Sequence, residues 1–182
     1  MSNKYEELKQ TLSNINVKEL AEIIKCIQNA RMVIFAALGN TIPIALDGAY
    51  KFNELGIIAF SSPIWENQLA VVHTISKEDV VIAISSSGES KNLLTIADTA
   101  MEKGATVIAI TNYAKSSLAL KCKYHINAVS RERLFFKEFS FTFTRLAAMA
   151  VIETLFFLLA SSKADSHNCI NAHEQSIADD KI

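Results

Sequence analysis

The sequence of 182 residues predicts an α/β protein of the doubly wound class, a parallel sheet with helices on both faces. Three observations lead there. Apolar runs rich in β-branched residues recur along the chain without alternating with polar residues, as in strands buried on both faces. Stretches with helical spacing separate these runs, so successive strands are joined by right-handed crossovers. Two of the runs stop at clusters of small polar residues, where open α/β sheets bind ligands.

Met1–Asn14 reads as a short leading helix, with Tyr5, Leu8, Leu12 and Ile15 near helical spacing. Asn16 and Glu19 form a capping-box pattern ahead of a helix over Val17–Ala30, which buries Leu20, Ile23, Ile24 and Ile27. These two helices are too short to hold a DNA-binding helix-turn-helix domain. Met32–Leu38 is the first strand, ending in Gly39-Asn40-Thr41. A helix follows through Ile44, Ala45, Gly48, Ala49, Phe52 and Leu55, with Pro43 in its first turn. Ile57–Phe60 is a short strand, and Trp65 opens a helix through Leu69, Val72 and Ile75.

The central unit begins at Val80–Ile84, a buried strand that stops at Ser85-Ser86-Ser87-Gly88-Glu89-Ser90. Asn92–Lys103 has the apolar spacing of an amphipathic helix, and Thr106–Thr111 is the next strand. Four hydroxyls and a glycine thus lie between a strand end and a helix N-terminus. Free N–H groups and the positive end of the helix dipole favour an anion there. The plainer reading is that the serines cap the helix. The number of hydroxyls at one strand end favours a phosphate cradle made of Ser85, Ser86, Ser87, Gly88 and Ser90. Asn112 and Tyr113 lie just past the following strand. Ser116–Cys122 reads as a short helix and Tyr124–Val129 as a fifth strand, ending in Ser130-Arg131-Glu132.

The last helix, Glu138–Ser161, is apolar over much of its circumference, and seven of the ten phenylalanines lie between 135 and 157. Arg145 and Glu153 interrupt it, which argues against a membrane span. The sheet covers one face, and a second subunit is the simplest cover for the rest. Residues 162–182 read as a polar tail, either mobile or a frayed terminal helix. His167 and His173 within it do not share a helix face, so no metal site is expected.

Composition narrows the function. A net charge of −1 argues against a strongly basic nucleic-acid binder. Cys26, Cys122 and Cys169 lack metal spacing and read as reduced thiols of a cytoplasmic protein. The N-terminus lacks the apolar core of a signal peptide. A dinucleotide site would need Gly-x-Gly-x-x-Gly and an acid after the next strand; only Gly39 is present, and Ser61-Ser62 stands where the acid belongs. No cofactor is expected.

Ser85-Ser86-Ser87-Gly88-Glu89-Ser90 resembles the Ser-x-Ser-Gly-Glu-Thr/Ser loop of the sugar isomerase (SIS) domain family. Gly39-Asn40-Thr41, Asp47–Phe52 and Ser130-Arg131-Glu132 are similar to further motifs of that family, most of all in RpiR-type sugar-phosphate regulators. One departure is Ala37, where the family has a glycine. The resemblance covers roughly Val17 to Ala160 and implies a five-stranded parallel sheet in a single domain over 1–161. It implies a phosphosugar gripped by the serine loop, with Ser85, Ser87 and Ser90 at the hydroxyl positions. Gly39, Asn40, Thr41, Gln68 and Arg131 are then sugar or phosphate contacts. It also agrees with a homodimer through the last helix. About thirty residues precede the first strand, so the DNA-binding domain of such regulators is expected to be absent.

Two functions follow. One is a sensor that binds a phosphosugar. The other is an aldose–ketose isomerase, which needs a base that serves both C1 and C2 of an enediol. Glu132 is the first candidate base because it follows a strand end. Glu89 is the second and Glu54 the third.

Overall fold

The computed structural model describes residues 4–130, 145–162 and 165–178. Five strands form one sheet: β1 (Val33–Ala37), β2 (Ala59–Phe60), β3 (Val80–Ser85), β4 (Thr106–Thr111) and β5 (Tyr124–Asn127). Their order is β2-β1-β3-β4-β5, and every neighbouring pair is parallel. The connection after β1 runs to one edge and the rest of the chain winds to the other. The switch point therefore lies between β1 and β3, and it places a crevice at their carboxyl ends.

Alternation along the strands builds two cores. Val33, Phe35, Ala37, Val80, Ile82 and Ile84 face one side. There they meet α2 (Val17–Gln28), α3 (Ile42–Glu54) and α7 (Leu146–Ser162). Ile34, Ala36, Val81, Ala83, Val107 and Ala109 face the other. That side is covered by α4 (Trp65–Val72), α5 (Lys91–Glu102) and α6 (Ser117–Lys121). The leading helix α1 (Lys4–Ser13) packs against α7.

Two expectations change, and a third falls outside the described residues. Asn16 caps α2 by accepting from the N–H groups of Lys18 and Glu19, but the Glu19 carboxylate does not reach back. It accepts instead from the N–H of His125 on β5, at 3.1 Å. The stretch expected as a polar tail contains a 13-residue helix, α8 (Ser166–Ala178). It docks on α3, with Tyr50 Oη 3.0 Å from His173 Nε2 and His173 Nε2 3.5 Å from Glu54. Residues 138–144, the expected start of the last helix, lie outside the described residues. Among the described residues no single helix is long and apolar enough to cross a membrane.

Candidate functional site

β1 ends in Leu38, and Gly39–Thr41 makes one turn of 3-10 helix before α3. Gly39 has φ +60°. The Thr41 hydroxyl is buried and serves the carbonyls of Leu38 at 2.9 Å and Ile84 at 3.1 Å. It ties the end of β1 to the end of β3, so its proton is already used inside the protein.

The loop from β3 to α5 is held by its own serines. Ser85 Oγ accepts from the N–H of Gly88 at 2.9 Å, and Ser87 Oγ accepts from the N–H of Glu89 at 3.2 Å. Gly88 has φ +70°, and a Cβ there would lie only 2.5 Å from the Cβ of Ser116. Glycine is therefore demanded twice, by conformation and by space. The N–H of Asn112 bonds the Ser86 carbonyl at 3.1 Å and keeps the loop against the end of β4. Ser90 is the residue before α5, yet its hydroxyl makes no capping bond. Among the described residues the Ser86 hydroxyl is equally unbonded. The first-turn amides of α5 have no intrahelical partner, and Ser90 and Leu93 at this end line the same space.

These loops enclose a cavity of about 200 Å³ at the switch point. Leu38–Thr41 line one wall, Ile84–Ser87 and Ser90 the other, with Leu93 beneath. Among the described residues no charged side chain lines it. A second hollow of about 10 Å³, room for about one water, shares Thr41, Ile84, Ser85 and Ser86 with it. That hollow adds Asn112, Ser130 and Arg145. The Ser130 hydroxyl is buried without a hydrogen-bond partner among the described residues. The guanidinium of Arg145, which leads into α7, donates to the carbonyl of Asn40 at 3.4 Å.

The expected site residues divide. Ser85, Ser86, Ser87, Ser90, Gly39, Asn40 and Thr41 line one crevice, and Gly88, in the same loop, packs against Ser116 instead. Gln68 does not line the crevice. It is fully buried, its Oε1 accepts from Ala37 N–H at 3.1 Å, and its Nε2 donates to the carbonyls of Ala37 and Ser62 at 2.8 and 2.6 Å. β2 ends at Phe60, and the Gln68 carboxamide takes over the pairing of Ala37. Its expected role as a sugar contact is therefore corrected to a structural one.

Glu89 is also committed elsewhere. Its carboxylate accepts from the N–H of Ser117 at 2.8 Å and the hydroxyl of Ser117 at 2.7 Å, at the start of α6. The Ser117 hydroxyl and then its N–H hold this carboxyl below its usual range. Glu89 lines neither hollow, so it is a poor candidate base. Glu54 sits at the far end of α3, about 18 Å along the helix from the crevice, against His173. Arg131 and Glu132 lie outside the described residues. Arg145 was visible in the sequence only as an interruption of an apolar helix. Among the described residues no group of three His, Cys, Asp or Glu side chains is placed to hold a metal ion.

A family model described as the SIS domain matches residues 26–158. The chain belongs to the SIS domain family. An uncharacterized HTH-type transcriptional regulator of Caldanaerobacter subterraneus is 29% identical over 158 residues, 87% of this chain and 55% of the regulator. The chain thus spans about half the length of that relative. Among solved structures, the Vibrio vulnificus NanR protein complexed with ManNAc-6P superposes with a TM-score of 0.86 at 20% identity, covering 96% of this chain and 65% of NanR. The sugar isomerase domain of an RpiR transcription factor from Sphaerobacter thermophilus gives 0.83 at 18% identity, covering 94% and 93%. At these identities the structures establish the SIS fold, a five-stranded parallel sheet between helices.

Proposed function

We propose that this SIS domain binds a phosphorylated sugar in the crevice between β1 and β3 and acts as a ligand-sensing module. The observation that carries the reading is the serine loop. Ser85 and Ser87 shape it, while the unbonded hydroxyls of Ser86 and Ser90 and the start of α5 face a cavity of about 200 Å³. Hydroxyls and backbone amides suit a phosphate. The absence of any carboxylate from the described lining favours binding over proton transfer. NanR, whose structure holds ManNAc-6P, is a precedent in the same fold. The second reading is an isomerase with Glu132 as base, favoured by its place in the sequence two residues after Ser130, whose hydroxyl is buried beside the crevice.

A second copy of the chain is proposed to pack on α7. Leu146, Met149, Phe157 and Leu158 of that helix remain exposed, which supports an apolar interface.

Thermal unfolding with a panel of phosphosugars, ManNAc-6P among them, tests the reading against free sugars and inorganic phosphate. A ligand of the folded state raises the midpoint. Stabilisation by a phosphosugar without conversion by NMR is the expected result. Conversion abolished by Glu132→Gln would establish the isomerase instead. No stabilisation by any phosphosugar would overturn both.

A further inference from the structure

Among the described residues the cradle has donors but no cation, and a phosphate brings close to two negative charges at neutral pH. Among the described residues the positive charge that lines the linked hollow is Arg145. Its only hydrogen bond among the described residues is the long one to the Asn40 carbonyl, and no carboxylate pairs with it. Arg31 behaves differently: it is bound to the buried Asp79 at 2.8 Å, and that hydrogen bond raises its pKa. Asn40 itself lines the main cavity, so the Arg145 guanidinium is bonded to a residue of the crevice wall while it lines the adjoining hollow. A guanidinium carries five donors and binds phosphate oxygens two at a time.

We infer that Arg145 is the charge-recognition residue of the site, closing on the phosphate from the start of α7 and exchanging the Asn40 carbonyl for phosphate oxygens. This rests on the phosphosugar reading above. It makes the ligand class anionic by requirement: the phosphorylated sugar is held and its unphosphorylated counterpart is not. It also gives α7 a direct contact with the ligand. Binding then draws the start of the helix that carries Met149 and Phe157 against the β1 and β3 loops.

Calorimetric titration of the best phosphosugar from the panel tests this on four proteins: wild type, Arg145→Met, Arg145→Lys, and Ser86→Ala with Ser90→Ala. Arg145 is exposed, and equal thermal midpoints without ligand will show that the variants fold. Arg145→Met is expected to bind roughly tenfold or more weakly, the scale of a charged hydrogen bond. It should also lose part of the salt dependence of wild type. Arg145→Lys should recover some of the affinity but not all of it. If Arg145→Met stays within twofold of wild type while the double serine variant no longer binds, the cradle holds phosphate without the arginine and the inference falls alone. If wild type binds no phosphosugar, the functional reading falls and the inference with it.

Discussion

Single side chains at the crevice show how similar residues reach opposite fates. Ser85 and Ser87 spend their oxygens on the loop, whereas Ser86 and Ser90 do not. Sequence places four hydroxyls in one loop and cannot say which of them the backbone will claim. Gln68 is harder still, because a carboxamide aimed at a sugar and one aimed at a strand end look alike in a sequence. Its three bonds predict a structural defect on substitution. Gln68→Leu removes the partner of the Ala37 N–H and leaves two carbonyls without their donor. A buried group stripped of its partner costs about 1–3 kcal/mol, so the variant is expected to lose at least ~2 kcal/mol in urea unfolding. A loss under ~0.5 kcal/mol, the range of an ordinary surface change, would show that the carboxamide is not holding β1.

At the level of elements, the sheet was legible and its edges were not. Five apolar runs identify five strands because burial on both faces leaves no polar alternation. The edges are protected by side chains distant in sequence or hidden in helices. Asn53 on α3 pairs both the N–H and the carbonyl of Ala59 on β2, at 2.9 and 3.0 Å. Thr11 and Glu19 take the outward N–H groups of Val129 and His125 at the β5 side, at 2.9 and 3.1 Å. Such capping denies a second chain the open ladder of an edge strand. The extent and docking of α8 were not legible because a polar helix shows no apolar stripe, and Tyr50, His173 and Glu54 hold it to α3. His125 on β5 carries a prediction for pH. Its ring lies 2.9 Å from the Thr111 hydroxyl, and burial lowers its pKa from 6.5 while Glu19 pulls weakly the other way. The unfolded chain therefore takes up the proton first as pH falls. The stability that neutral His125 contributes is complete above pH 6.5 and drains away below it, towards the lowered folded value. Urea midpoints from pH 7.5 down to 5 should fall more steeply for wild type than for His125→Gln. Parallel curves would remove His125 as the cause.

At the scale of the whole molecule the two proposed roles, ligand contact and self-association, meet in α7, and this sets the last prediction. One end of the helix carries Arg145 at the crevice. Along its length Ala147, Val151, Ile152, Leu155 and Leu159 are buried in the core, while Met149 and Phe157 stay exposed, Phe157 at 64%. The polar cluster of Lys51 with Asp47 at 2.9 Å and Glu153 at 3.2 Å pins α7 to α3. Burial opposes the charge of Lys51, but its bonds to Asp47 and Glu153 outweigh it and its pKa is raised. The helix is therefore clamped on its inner side and apolar on part of its outer side. An apolar surface of this kind is the mark of an association site. Met149→Glu with Phe157→Glu places charge there without touching the core or the crevice, so the folded subunit should persist. Sedimentation equilibrium is expected to give a dimer for wild type and a monomer for the double variant. If phosphosugar affinity is unchanged in that monomer, each subunit holds a complete crevice. If affinity falls with assembly, the ligand and the interface are coupled through α7, because binding that favours one assembly state must be favoured by it in return. A wild-type monomer at micromolar concentration would remove the interface, and the exposed residues of α7 would then need another partner.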